Sequence, residues 1–87
     1  MLSKSITIKN PSGLHMRPAG VLVKVCMPFK SNIFFSIRGG TYNGKSMLNV
    51  LSAAVKCGDG IELSVDGEDE ADCMDAIVTA IESGLGE

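Results

Sequence analysis

Tryptophan is absent from this 87-residue chain, and its aromatic side chains amount to three Phe and one Tyr. A protein that stacks on exposed bases would be poorly supplied with platforms. Basic residues are in slight deficit, eight Lys and Arg against ten Asp and Glu, whereas a dedicated nucleic-acid binder normally shows a basic face. No apolar run approaches the roughly 18 residues needed to cross a membrane, so no membrane insertion is expected. The chain opens almost at once on a strand-like Ser5-Ile6-Thr7-Ile8, which speaks against a signal peptide. Cysteine is scarce and odd in number. Cys26, Cys57 and Cys73 are widely spaced with no Cys-x-x-Cys pair, a pattern of reduced thiols in a cytoplasmic protein rather than of a metal site. Repeats, linkers and low-complexity segments are also missing. The expectation is one domain, residues 1–87, with a single core and a modest stability margin.

The elements follow from periodicity and turn formers. Residues 2 to 8 read as a strand with Ile6 and Ile8 inward, ended by Asn10, Pro11, Ser12 and Gly13. Residues 16 to 27 are ambiguous, since Val21, Val23 and Val25 favour a strand while Leu22, Val25, Cys26 and Phe29 fit one face of a helix. Pro18 near the start and Pro28 just beyond the end tip the balance to helix. Ile33 to Ile37 is a strand, Arg38-Gly39-Gly40 a tight turn, and Thr41-Tyr42 a short return strand. Met47 to about Ala54 reads as a short apolar helix capped by Ser46. Ile61 to Val65 alternates as a half-buried strand, and Asp66-Gly67 leads into a helix from about residue 69 to 83. Ala71, Met74, Ile77, Val78 and Ile81 share one face of that helix, and Gly84 stops it. The order βαββαβα predicts an α+β fold, an antiparallel sheet with its helices packed on one side.

The only histidine sits in Gly13-Leu14-His15-Met16-Arg17-Pro18-Ala19. Pro18 suits the first turn of a helix, where its missing N–H costs nothing. His15 then stands at or just before a helix N-terminus with Arg17 close by. Orphan backbone N–H groups and the positive end of the helix dipole make that place suitable for an anion. The same field disfavours imidazolium, leaving a nucleophilic ring beside an arginine, an arrangement able to take up a phosphoryl group. The alternative is a plain N-cap or surface histidine.

This heptad resembles the active-site signature of HPr, the histidine phosphocarrier family of the bacterial phosphoenolpyruvate:sugar phosphotransferase system. Asn43-Gly44-Lys45-Ser46-Met47-Leu48 is similar to that family's regulatory serine and following helix, and Gly84-Leu85-Gly86-Glu87 to the tail of many members from Gram-positive bacteria. The likeness runs essentially end to end. It implies an open-faced β-sandwich, four antiparallel strands with three helices on one face, in a carrier with no turnover of its own and no cofactor. It implies that His15 accepts the phosphoryl group at Nδ1 from Enzyme I and passes it to Enzyme IIA domains during sugar uptake. Arg17 would stabilise the phosphoryl oxygens, and the backbone N–H groups of Met16 and Arg17 would complete the cradle.

Ser46 carries two compatible readings: a helix N-cap, and, by the resemblance, a site phosphorylated from ATP by HPr kinase/phosphorylase, with a catabolite-control repressor as a further implied partner. Met47, Leu48 and Leu51, with Met16, Gly20 and Met27, form the expected docking face of a monomer, with Lys24 and Lys45 ringing it for acidic partners. Met16 stands where the family usually has a small residue, Gly20 and Cys26-Met27-Pro28 are unusual, and Ala54 occupies a frequent glycine position. These departures allow a specialised or regulatory paralogue, or a partner in a nitrogen-type phosphotransferase system. Gly39 to Ser46 also satisfies the pattern G-x-x-x-x-G-K-[ST], a nucleotide-binding loop. A chain this short cannot supply the parallel sheet that such a loop needs, and Gly39-Gly40 is required for a hairpin.

Overall fold

The computed structural model describes residues 1–87. Its elements run β1 (Leu2–Thr7), α1 (Met16–Cys26), β2 (Asn32–Ile37), β3 (Gly40–Asn43), α2 (Met47–Ser52), β4 (Gly60–Asp66) and α3 (Glu70–Glu82). The four strands form one antiparallel sheet in the order β1-β4-β2-β3. The sheet is open, with the helices covering one face. β4 is central because its alternation is the cleanest: Ile61, Leu63 and Val65 are buried while Glu62 and Ser64 are not. Pairing of Phe35 with Leu63 and of Ile33 with Val65 sets β2 in the same phase. Phe35 also stacks on Tyr42 of β3, ring centroids 5.5 Å apart.

The β2–β3 hairpin closes through Arg38 and Gly39, both left-handed at φ +49° and +79°. Two consecutive positive φ values are what a two-residue turn needs to follow the twist of its strands. Residues 40–43 pair with residues 34–37, so the Gly39–Ser46 segment has the geometry of a hairpin rather than of a phosphate-wrapping loop. Arg38 tolerates its backbone conformation while its guanidinium ties three elements together. It donates to Asp59 Oδ2 at 3.0 Å and to the carbonyls of Ala53 and Ala54, both at 2.9 Å, satisfying carbonyls that the end of α2 leaves open.

α3 ends as its sequence indicates. Gly84 is left-handed (φ +89°), its N–H donates to the Ile81 carbonyl, and the N–H of Leu85 donates to that of Ala80. Leu85 is then folded back into the core. At the other end Asp69 accepts from the backbone N–H groups of Lys30 and Ser31 and from the Ser31 hydroxyl, fastening the start of β2 to the start of α3. These bonds, led by the Ser31 hydroxyl, hold the Asp69 carboxyl below its usual range.

Four expectations are corrected. β1 stops at Thr7, so the buried Ile8 lies just past the ladder, and Ile6 is only half-buried at the sheet edge. The inward stripe of α3 contains Cys73, with Met74, Ile77 and Ile81, while Ala71 is exposed, because α3 packs against α1 as well as against β1 and β4. Val25 and Phe29 are half-buried, and α1 buries Pro18, Ala19, Leu22 and Cys26. α2 ends at Ser52, and Ala54 already stands in the left-handed region at φ +52°.

A left-handed conformation strains any residue with a Cβ, and Ala54 is exposed, so its methyl group returns little by packing. Ala54→Gly should therefore raise stability by about 0.5–1 kcal/mol, the relieved strain exceeding the added entropy cost of glycine. Chemical denaturation of both proteins checks the sign.

Candidate functional site

The turn before α1 is fixed from several directions. Asn10, almost fully buried, accepts the Gly13 N–H through its backbone carbonyl (3.0 Å), and its side-chain amide donates to the Gly13 carbonyl. Gly13 is left-handed at φ +59°, and a Cβ there would lie 2.4 Å from the Val55 carbonyl oxygen. No side chain fits at this approach, and the left-handed backbone independently favours glycine. Leu14 then donates its N–H to that same Val55 carbonyl at 2.9 Å and buries its side chain.

His15 follows as the N-cap of α1, with extended backbone (φ −81°, ψ −171°) and its carbonyl accepting from Ala19 at 2.8 Å. Its ring makes no capping hydrogen bond and is exposed. The N–H groups of Met16 and Arg17 precede the first intrahelical bond and so have no acceptor within the helix. Pro18 occupies the same first turn, buried, where its absent N–H is not missed. The head of α1 thus carries an exposed imidazole, an exposed Arg17 two residues on, and two leading amides without an acceptor in the helix. Neither hollow on the surface is lined by His15 or Arg17; the larger, about 390 Å³, lies over the end of the sheet between Ser5, Ser36 and Glu62.

One participant went unforeseen. Glu87 reaches back to this turn, accepting from the Ser12 N–H (3.1 Å), the Ser12 hydroxyl (2.6 Å) and the Asn10 amide (3.0 Å). Those three bonds, the Ser12 hydroxyl foremost, hold its carboxyl below the usual range, and the positive charge of Arg17 adds to the effect. Arg17 itself forms no ion pair within 4.0 Å. The only sequence signal was Gly84-Leu85-Gly86, two glycines around an apolar residue, which reverse the chain over α1.

Beside the turn lies an apolar face. Met16 is 62 % exposed, Met27 59 % and Leu48 77 %, while Gly20, Met47 and Leu51 are half-buried between the two helices. A Cβ at Gly20 would stand 4.0 Å from Met47 Cε, an ordinary van der Waals contact, so the approach of α2 does not depend on glycine there. Lys24 is exposed at the edge. Lys45 does not ring the face as expected: its ammonium donates to the Phe29 carbonyl, drawn there by a backbone acceptor at the exit of α1. Ser46 caps α2, its hydroxyl accepting the Asn49 N–H at 3.3 Å, and remains half-exposed. All three cysteines are free, with Cys26 and Cys73 buried and Cys57 exposed.

The family model described as the PTS HPr component phosphorylation site matches residues 2–83. The phosphocarrier protein HPr of Neisseria meningitidis is 37 % identical over 87 residues, covering 100 % of this chain and 98 % of that protein. The HPr-like protein Crh of Halalkalibacterium halodurans is 35 % identical, covering 94 % of this chain and 98 % of its own. Among solved structures, that of HPr from Thermoanaerobacter tengcongensis superposes with a TM-score of 0.96 at 38 % identity, covering 100 % of this chain and 98 % of that one.

The depressed Glu87 carboxyl gives a pH dependence of definite sign. Its contribution to stability is complete above the ordinary glutamate value of 4.5 and is lost as pH falls through the lower folded value. Unfolding midpoints of the wild type and Glu87→Gln should differ above the ordinary glutamate value and converge only as pH falls below the depressed folded value. A difference that persists unchanged in acid would show that the carboxylate charge is not what holds the tail.

Proposed function

The chain belongs to the HPr family of the phosphoenolpyruvate:sugar phosphotransferase system, a family of phosphocarriers, and from that premise we propose that His15 is the residue on which it carries the phosphoryl group. The observation that carries this reading is the openness of the His15 ring at the head of α1, with Arg17 and two unsatisfied amides beside it. In acceptance, the lone pair of Nδ1 attacks the phosphorus of the donor, and the bond from phosphorus to the donor nitrogen breaks. The donor is the phosphohistidine of Enzyme I, and the acceptor in the next transfer is a histidine of an Enzyme IIA domain. Arg17 and the Met16 and Arg17 amides balance the charge of the phosphoryl oxygens; positioning and charge stabilisation are all that a carrier needs to supply. In this reading the chain works in the cytoplasm, the compartment the family resemblance implies; no helix is long and apolar enough to cross a membrane.

Partners dock, in this reading, on Met16, Gly20, Lys24, Met27, Met47, Leu48 and Leu51. The regulatory site is Ser46, acted on by HPr kinase/phosphorylase with ATP as donor. Support for Ser46 is its half-exposed hydroxyl next to Met47 and Leu48: a phosphate there adds negative charge at the edge of the docking face and would weaken contact with an acidic partner. The signalling role of an HPr-like regulatory protein is the second reading, favoured by the similarity to Crh.

In a labelling assay with phosphoenolpyruvate and Enzyme I, His15→Ala should take up no label, and Arg17→Gln should slow uptake on the order of a hundredfold. Label retained by His15→Ala would remove the assignment. Incubation with HPr kinase/phosphorylase and ATP should place one phosphate on Ser46, located by mass spectrometry, and that form should accept label from Enzyme I more slowly. A phosphate found elsewhere would displace Ser46 from its role.

A further inference from the structure

The chain has five methionines, and their distribution is uneven. Met74 is shut in the core at 8 % exposure, whereas Met16 and Met27 stand well out into solvent at opposite ends of α1. Met47 fills the space beside Gly20 between α1 and α2. Three thioethers therefore share the apolar face next to His15, and Met16 is its immediate neighbour. We propose that Met16 and Met27 are oxidation sites, through which peroxide-class oxidants close the docking face to its partners. The proposal rests on the docking role assigned above and adds a regulation of that same face.

The chemistry needs nothing beyond the oxidant. A lone pair on the methionine sulfur attacks one oxygen of hydrogen peroxide, the O–O bond breaks, and the other oxygen leaves as water after proton transfer. Sulfur is oxidised by two electrons, the peroxide is reduced, and the thioether becomes a sulfoxide. A flexible apolar side chain is thereby turned into a strong hydrogen-bond acceptor. On an exposed helix this costs the free protein little, because water solvates the new oxygen. In a desolvated interface that oxygen loses its water, so the penalty falls on docking rather than on folding.

Met1 is the most exposed thioether at 77 %, but its amino group pairs with Asp66 and Glu70 just before β1, away from the α1–α2 face, and the thiols compete little. Two of the three thiols are enclosed, and burial pushes Cys26 up to about 12 and raises Cys73 as well, leaving both as unreactive thiols. Cys57 is exposed, but it lies on the connection from α2 to β4, its thiol directed at the Lys9 carbonyl. Oxidation there would not alter the α1–α2 face.

The test treats the intact protein carrying Cys57→Ser with graded hydrogen peroxide and maps oxygen gain by peptide mass spectrometry. Met16 and Met27 should be oxidised well before Met74. The KM of the oxidised carrier for transfer from phospho-Enzyme I should rise at least roughly tenfold, with recovery after methionine sulfoxide reductase. The Met16→Leu/Met27→Leu variant, compared with its own untreated rate, should keep its ratio near one after the same treatment. Oxidation of Met74 as early as Met16, an unchanged KM with sulfoxide at both positions, or equal loss in the double variant would each overturn the proposal. Untreated protein that takes no label defeats the carrier reading itself; normal labelling that survives oxidation defeats this proposal alone.

Discussion

The site depends on one close approach of two backbones. Gly13 lies against the Val55–Lys56 peptide with no space for a Cβ, and the Val55 carbonyl accepts the Leu14 N–H at 2.9 Å. Asn10 and Glu87 hold the turn from its other side. The residues on the far side of the contact, Ala53 and Ala54, are held by the Arg38 guanidinium, which also donates to Asp59. The β2–β3 turn is thus linked, past the end of α2, to the residue before His15. Three of the hydrogen bonds in that link come from one side chain, Arg38, and the last is the backbone bond from Leu14 to Val55, beside a glycine that has no room for a Cβ.

Much of the fold is legible in the chain because it is carried by local patterns. Alternation from Ile61 to Val65, proline at residues 18 and 28, and glycine after Glu82 each act within a few residues and each points to the observed element. The left-handed Ala54 shows where local reading misleads. Nothing in Leu51-Ser52-Ala53-Ala54 marks a helix end, and it is Arg38, distant in sequence, that takes up the released carbonyls. The position of Cys73 on α3 is similar: the apolar stripe gives a face, but packing against α1 as well as the sheet decides which residues are enclosed.

At the site, the same division applies. His15, Arg17 and Pro18 form a local group, and their geometry follows from the turn formers before them. Glu87 contacts Ser12 across 75 residues, and no periodicity records such a contact. Lys45 is expected from the sequence to ring the apolar face, yet its ammonium donates to the backbone carbonyl of Phe29. Charge counted along a sequence says how many ions a surface has; it does not say which of them the fold has already engaged.

The combination of a rigid turn and an unconstrained ring has a physical consequence for a carrier. The His15 backbone is set by the Leu14 and Ala19 hydrogen bonds, whereas its imidazole has no capping bond to break. In the proposed transfer, a partner would meet a ring of fixed origin and free orientation, which could turn without disturbing the fold. The face beside it is built in the same way. Met16 and Leu48 are attached to helices but project into water, so on the proposed docking face partners of different shape would be met by rotamer changes alone. A ring that is reached by partners has to stay open, and so do its neighbours, which would leave exposed thioethers beside the proposed acceptor. Accessibility to partners and vulnerability to oxidants would then be two results of one geometric requirement.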